Sequence, residues 1–176
     1  MVEITIREAK NKDSASIRSV ISLAFDKQPT IRNREIIESL LFKELIQDGH
    51  DIVSLVAEES ETIIGHVLVS PVSLEPNNGL ICGQVAPLSV HPDFQSQGVG
   101  KSLMYAVIEK SKEIGLDTLF LLGDPNYYKL FGFLPSKVKS NYGPSDYFQQ
   151  LVLKKSSVEL TDVFVRLAPA FSRLGL

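Results

Sequence analysis

Cysteine is nearly absent. Cys82 is the only one in 176 residues, so no internal disulfide can form, and a reducing cytoplasmic home is the simplest expectation. Long apolar runs are missing as well; none approaches the roughly 20 residues that a membrane-spanning helix needs. There is no basic excess: 18 Lys and Arg stand against 21 Asp and Glu, a net charge of −3, which argues against a nucleic-acid partner. Internal repeats and low-complexity segments are lacking too. The opening MVEITIREAK carries Glu3 and Arg7 within an alternating pattern and reads as a strand, not a secretory leader. What is present fits an ordinary globular chain, with 44% hydrophobic and 22% charged residues and length enough for one substantial core. The expectation is a single domain over residues 1–176, its core at about 2–157 and a tail at 158–176 lying on or beside the sheet.

Periodicity supplies the element order. Val2, Ile4 and Ile6 alternate with polar residues, as in a half-buried strand. Asp13 offers a helix N-cap, and Ile17, Val20, Ile21, Ala24 and Phe25 form one helical stripe that Pro29 ends. A second helix is expected over 33–47, burying Ile36, Ile37, Leu40, Leu41 and Leu45 and closed by Asp48-Gly49. Residues 52–58 and 63–70 alternate around the polar turn Glu59-Ser60-Glu61-Thr62 and read as an antiparallel hairpin. Residues 80–91 form a third strand interrupted by Pro87. An amphipathic helix over 98–114, a short strand at 118–122, a short helix at 125–130 and a strand at 148–154 follow. In the tail, Leu160, Val163, Phe164 and Leu167 fit a helix, while Val163, Val165 and Leu167 fit a strand. The extended form is preferred, with Pro169 ending either. The order gives an α/β fold, a mixed sheet layered with helices.

The informative stretch is 88–102, LSVHPDFQSQGVGKS. A strand ends near His91-Pro92, a loop with Gly98 and Gly100 follows, and a helix begins. Glycine permits close backbone approach and unusual dihedrals, and the free amides of a helix N-terminus favour an anion such as a pyrophosphate. Lys101 and Ser102 add a charge and a hydroxyl. Two better-known phosphate loops fit poorly. The Walker pattern needs glycine where Gln95 stands, and the dinucleotide fingerprint needs glycine where Leu103 stands. Two glycines that merely turn a strand into a helix are the simpler alternative.

Q-x-x-G-x-G after a strand, opening an amphipathic helix, resembles the acetyl-CoA signature of the GNAT superfamily. LGDPNYYKLFGF, residues 122–133, is similar to that family's Y-x-x-x-G-F element, and both motifs stand in the family's order. Their wording resembles a largely uncharacterised bacterial acetyltransferase branch. The resemblance implies a mostly antiparallel central sheet flanked by helices, with a strand pair splayed at the cofactor site, and acetyl-CoA as cosubstrate with no metal. It places the pyrophosphate on the loop around Gln95, Ser96, Gln97, Gly98, Val99, Gly100, Lys101 and Ser102. It pairs the pantetheine arm with Leu88, Ser89 and Val90. A splay needs a bulge, and Pro87 suits one because it removes a ladder donor, the alternative being a plain edge-strand proline. The Leu88 N–H then becomes an oxyanion donor and Tyr128 the acid that protonates the departing thiolate. Tyr127 is assigned to packing, and Asn126, with Asp124, to cofactor contact.

The general base stays open between His66, Glu58 and a water chain. His91 is assigned to fixing the loop, Gln84 cannot titrate, and Cys82 lies upstream of the bulge. Acceptor selection is expected from the first two helices, from residues 29–33 and from 137–148, although an ordinary surface loop explains the last segment equally well. The implied activity is acetyl transfer to a primary amine of a small molecule or peptide in a ternary complex, by a monomer or homodimer. Rivals are a transferase for a different acyl group or for an oxygen acceptor, a non-catalytic acyl-CoA-binding module, and a nucleotide-binding module.

Overall fold

A computed structural model describes residues 3–26, 33–155 and 160–176. The chain runs β1 (Ile4–Glu8), a 3-10 turn (Asn11–Asp13), α1 (Ser14–Phe25), α2 (Arg34–Gln47), β2 (Val53–Glu59), β3 (Thr62–Glu75), β4 (Cys82–Val90) and α3 (Val99–Glu113). Then come β5 (Thr118–Leu122), α4 (Pro125–Tyr128) with a 3-10 turn (Lys129–Phe131), β6 (Leu134–Pro135), β7 (Lys139–Ser140), β8 (Phe148–Val152), β9 (Phe164–Arg166) and α5 (Pro169–Arg173). The main sheet has the order β1-β2-β3-β4-β5-β8-β6, with β9 joining the far end of β3 and β7 pairing β9. Among the described residues only β4–β5 and β7–β9 are parallel pairs. The β2–β3 turn forms as expected. Ser60 and Glu61 both have positive φ, the conformation of a two-residue turn whose twist matches that of the strands.

Each sheet face carries its own core. Val99, Leu103, Met104 and Val107 of α3 pack on Leu55, Val67, Val69 and Leu119. On the opposite face Ile17, Val20 and Ile21 of α1 and Leu41, Phe42 and Leu45 of α2 pack on Val56 and Leu68, together with Phe171 of α5. At about 1.5–3 kcal/mol per fully buried apolar side chain, these faces clamp the sheet from both sides. Among the described residues no helix is long and apolar enough to cross a membrane.

Several expectations need correction. Asp13 does not cap α1. Its carboxylate accepts the Lys10 N–H at 2.7 Å and an Arg7 guanidinium N–H at 2.7 Å, so it closes the preceding 3-10 turn and joins β1 to it. Ile36 is exposed and Phe42 is buried in its place, because α2 is rotated so that Glu38 and Ser39 also face inward. The tail is not simply extended: β9 adds to β3, and Pro169 starts α5 instead of ending an element, since its missing N–H costs nothing in a first turn. Val2 and Pro29 lie outside the described residues.

Candidate active site

The site begins where β4 and β5 part. They pair only at Cys82/Thr118, Gly83/Leu119 and Gln84/Phe120; β4 then continues alone to Val90. Across β3, Val67 faces Leu88 while Val69 faces Val85, so β4 carries an extra residue at Ala86–Pro87. This is the bulge expected of Pro87, and it turns the rest of β4 away from β5. The His91 N–H donates to the Ile64 carbonyl at 2.8 Å. By the alternation of an antiparallel ladder, Ser89 then bonds to His66, whereas the peptide groups of Leu88 and Val90 point to the open edge. Gln95 confirms this direction, its Nε2 donating to the Val90 carbonyl at 3.0 Å. The Leu88 N–H is left on an edge with no strand beside it.

The loop after β4 is braced by side chains. Asp93 N–H donates to His91 Nδ1 at 3.2 Å, and Gln97 Nε2 donates to the Asp93 carbonyl at 2.9 Å, so His91 does fix the loop. Ser96 and Gly98 have φ of 61° and 88°. Gly98 is the residue before α3, and a Cβ there would meet nothing within 4 Å, so its positive φ is the reason for glycine. Val99 is buried and anchors the helix start, leaving the first amides of α3 without intrahelical acceptors. Loop and open edge meet in one pocket of about 590 Å³, lined by Leu88, Val90, Gln95, Ser96, Gly98, Gly100, Lys101, Tyr127 and the α1 end, Ala24 and Phe25. A row of amides, one lysine and a bare strand edge suit an anionic head joined to an extended amide-bearing arm.

Of the two tyrosines of α4, Tyr127 lines this pocket, whereas Tyr128 packs behind it and is not part of the lining. The helix starts on Asp124, whose Oδ1 accepts the Asn126 N–H at 2.9 Å, and the two rings stand nearly perpendicular, 4.9 Å apart. Tyr127 is not mere packing. It lines the pocket, and its hydroxyl lies 2.9 Å from where a Cβ on Gly100 would be. Tyr128 lies across Gly123, against a backbone that no side chain there would allow it to approach, and edge-on to Phe133 at 6.1 Å. Burial, then the neighbouring Tyr127, push its phenol above the ordinary value, while Arg34 pulls it down.

The other candidates separate. His66 is fully buried, shares a 2.9 Å hydrogen bond between Nε2 and Ser54 Oγ, and stands edge-on to Phe42 at 5.1 Å. Burial pushes it down to about 3, which leaves it neutral and structural. Glu58 accepts from Arg7 Nε at 2.9 Å and Nη2 at 2.5 Å and lines a different groove, with Asp13 and Glu61. Neither lines the pocket that Leu88 opens into. Cys82 is buried and its thiol is pushed up to about 12, by burial first and Asp117 second, which leaves it unreactive at neutral pH. Gln84 is buried at the apex of the splay, Ser89 is buried on the side of His66, and Ser102 and Asn126 are exposed outside the pocket lining. Among the described residues no cluster of three or more His, Cys, Asp or Glu could hold a metal.

The model of the Acetyltransferase (GNAT) family matches residues 17–133. The uncharacterised N-acetyltransferase YhbS of Escherichia coli K12 is 35% identical over 97 residues, 54% of this chain and 58% of that protein. The chain's match thus spans little more than half the length of this relative. The crystal structure of E. coli YhbS in complex with CoA superposes with a TM-score of 0.87 at 27% identity, over 100% of this chain and 96% of the other. A GNAT family acetyltransferase from Brucella melitensis, in complex with acetyl-CoA, superposes with a TM-score of 0.80 at 28% identity, over 97% and 99%.

Proposed function

Because this chain belongs to the Acetyltransferase (GNAT) family, an acyltransferase family that uses acetyl-CoA as cosubstrate, we propose that it transfers acetyl to a primary amine of a small molecule or peptide by direct attack in a ternary complex. One observation carries the reading: the free β4 edge and the amide-rich loop open into the same pocket.

The residues divide the work. Amides of the loop and of the first turn of α3, flanked by Lys101, hold the pyrophosphate; the helix dipole adds about 0.3–2 kcal/mol according to burial. Peptide groups of Leu88 and Val90 pair with the pantetheine arm as a further strand would. The Leu88 N–H donates to the acetyl carbonyl oxygen as charge builds there during amine attack, the oxyanion-hole role. When the carbon–sulfur bond breaks, Tyr128 gives its proton to the departing sulfur, and the proton lost by the amine leaves through water, since His66 is fully buried and Glu58 is paired with Arg7. A phenol near pKa 10 is a weaker acid than a thiol near 8.5, and burial widens that gap, so the transfer relies on a hydrogen bond to the sulfur as it departs. Tyr127 contacts the arm where it crosses Gly100. Cys82, single and buried, needs no oxidising compartment, which supports a cytoplasmic home.

Thermal stabilisation by acetyl-CoA, beside ATP and NAD, tests the site, and thiol release across an amine panel tests turnover. A shift with acetyl-CoA alone, followed by thiol release, supports the proposal. A shift without release for any amine leaves a binding module, and no shift at millimolar acetyl-CoA removes the proposed site.

A further inference from the structure

We propose that Arg34 reads an anionic group on the acceptor, so that the amine acetylated by this protein also carries a carboxylate. The inference rests on the transferase reading above and adds the chemical class of its second substrate.

Arg34 is the first residue of α2, and its side chain is held on two sides. Nε donates to Glu38 Oε1, one turn further on, at 3.3 Å, and the guanidinium carbon lies 5.3 Å above the ring of Phe25. Phe25 lines the pocket that contains Leu88 and Tyr127. The charge of Arg34 also pulls the Tyr128 phenol down, against the upward push of burial. The guanidinium thus sits beside the Phe25 wall of the pocket, close enough for its charge to act on Tyr128, although Arg34 itself is not part of the lining. With Nε and one ring face engaged, the two terminal nitrogens make no hydrogen bond among the described residues, and the side chain keeps 31% of its surface exposed. Glu38 is poorly placed to neutralise it fully: it contacts Nε alone, and burial pushes its carboxyl up.

A guanidinium fork held in this way matches the two oxygens of a carboxylate, and the pairing is directional where a lysine's would not be. The amine itself must sit at Leu88, where the carbonyl is polarised. An acceptor that spans both points has an amine and a carboxylate in one small molecule, or an amine near the C-terminus of a short peptide. A plain alkylamine or polyamine would leave the fork unpaired and bring a second positive charge beside it.

The test pairs substrates that differ only at the anion. Amino acids, their carboxamides and short peptides with free or amidated C-termini are assayed for thiol release from acetyl-CoA. Charge-assisted hydrogen bonds of this kind correspond to a preference of about 10–100-fold in kcat/KM for the carboxylate member. The free amino acids and the peptides separate the two sources of that carboxylate. In Arg34→Gln the preference should fall to within about threefold, and Arg34→Lys should restore only part of it, the charge without the fork. Stabilisation by acetyl-CoA should persist in both variants; its loss in the unaltered protein would overturn the cofactor site instead. If Arg34→Gln does not fold, because Glu38 is left buried and alone, the double variant Arg34→Gln/Glu38→Gln serves in its place. Carboxamides as good as carboxylates, a preference that survives in Arg34→Gln, or acetyl-CoA binding with no carboxylated acceptor turned over would each overturn the assignment.

Discussion

Gly100→Ala separates a phosphate cradle from an ordinary strand–helix turn. Gly100 lies in the first turn of α3, where alanine is the better helix former by up to about 1 kcal/mol. The added methyl would stand 2.9 Å from the Tyr127 hydroxyl and 3.7 Å from Val90 Cγ2. The first contact is a few tenths of an ångström too close, and it falls on the tip of a half-buried side chain that can swing aside. The two effects oppose each other, so the free protein should change by less than about 1 kcal/mol. In a chain of this length that is a Tm shift of no more than about 2–4 °C. The liganded protein should behave differently, because the methyl occupies space over the amides that hold the pyrophosphate. A hundredfold excess of acetyl-CoA over its Kd stabilises the unaltered protein by about 2.7 kcal/mol, roughly 5–10 °C on the same scale. If the methyl raises Kd a hundredfold, the same concentration gives about 0.4 kcal/mol, a shift of no more than about 2 °C. Differential scanning fluorimetry with and without acetyl-CoA reads both quantities. A ligand shift that survives in Gly100→Ala would refute the cradle. A collapse of the free protein would mean that the Gly100–Tyr127 approach is structural.

The tyrosines should divide in kinetics. Tyr128→Phe should lower kcat by about 10²–10³-fold with little change in the acetyl-CoA shift, whereas Tyr127→Phe should raise KM for acetyl-CoA more than it lowers kcat; the reverse pattern would exchange their roles. Glu38 carries a carboxyl raised by burial, so the folded chain takes up its proton before the unfolded chain does, and stability falls as pH rises through the window just above the usual glutamate value. Glu38→Gln should remove that part of the Tm–pH curve, and an unchanged curve would show that the carboxyl is ionised without penalty. His66, held near 3, stays neutral in the fold down to that value, so it withholds stability as pH falls below the ordinary histidine range. Its ring resonances should not titrate between about pH 8 and pH 4.5 by NMR, and a midpoint within that range would return it to the list of possible bases.

Much of this architecture is legible because its signals are local. The β2–β3 hairpin is marked by alternation and a polar turn, α3 by its stripe and its glycines, and the bulge by a proline inside an apolar strand. The failures are of other kinds. The sequence pattern ends this strand at Ser70, yet β3 continues to Glu75, because Val72 pairs with Cys82 and residues 73–75 take β9 as a partner from the far end of the chain. Local pattern cannot announce a partner that distant. Pro169 could equally stop one element or start another, and the burial of Phe171 in the core that α1 and α2 share decides. Asp13 sits where a cap belongs, but Arg7 outbids α1 for its carboxylate, and that pairing depends on where β1 lies in the sheet. Tyr127, assigned to packing, does pack on the core but also lines the pocket, whereas Tyr128 lies outside the lining; on a helix barely one turn long, spacing does not say which of two successive side chains faces the site.

Gln95 shows why the loop belongs to this chemistry and not to a nucleotide site. The Walker pattern demands glycine at that position, where backbone must wrap a phosphate. Here the residue has a side chain with a defined task, since its amide donates to the Val90 carbonyl and caps the free edge of β4 at its end. The loop is thereby tied to the strand that precedes it, and the next edge groups inward belong to Leu88. A nucleotide needs no such strand beside its phosphates. A ligand with a long amide-bearing arm does, because the arm can complete a ladder that the bulge at Pro87 has interrupted. The glycines and helix amides set the charge of the ligand's head; the bulge and Gln95 set its shape. The conjunction of the two, more than the phosphate loop alone, selects an acyl-coenzyme A. The end of α1, at Ala24 and Phe25, walls the same pocket, so under the proposed function an amine held near Arg34 would meet the acetyl group where Leu88 would polarise it.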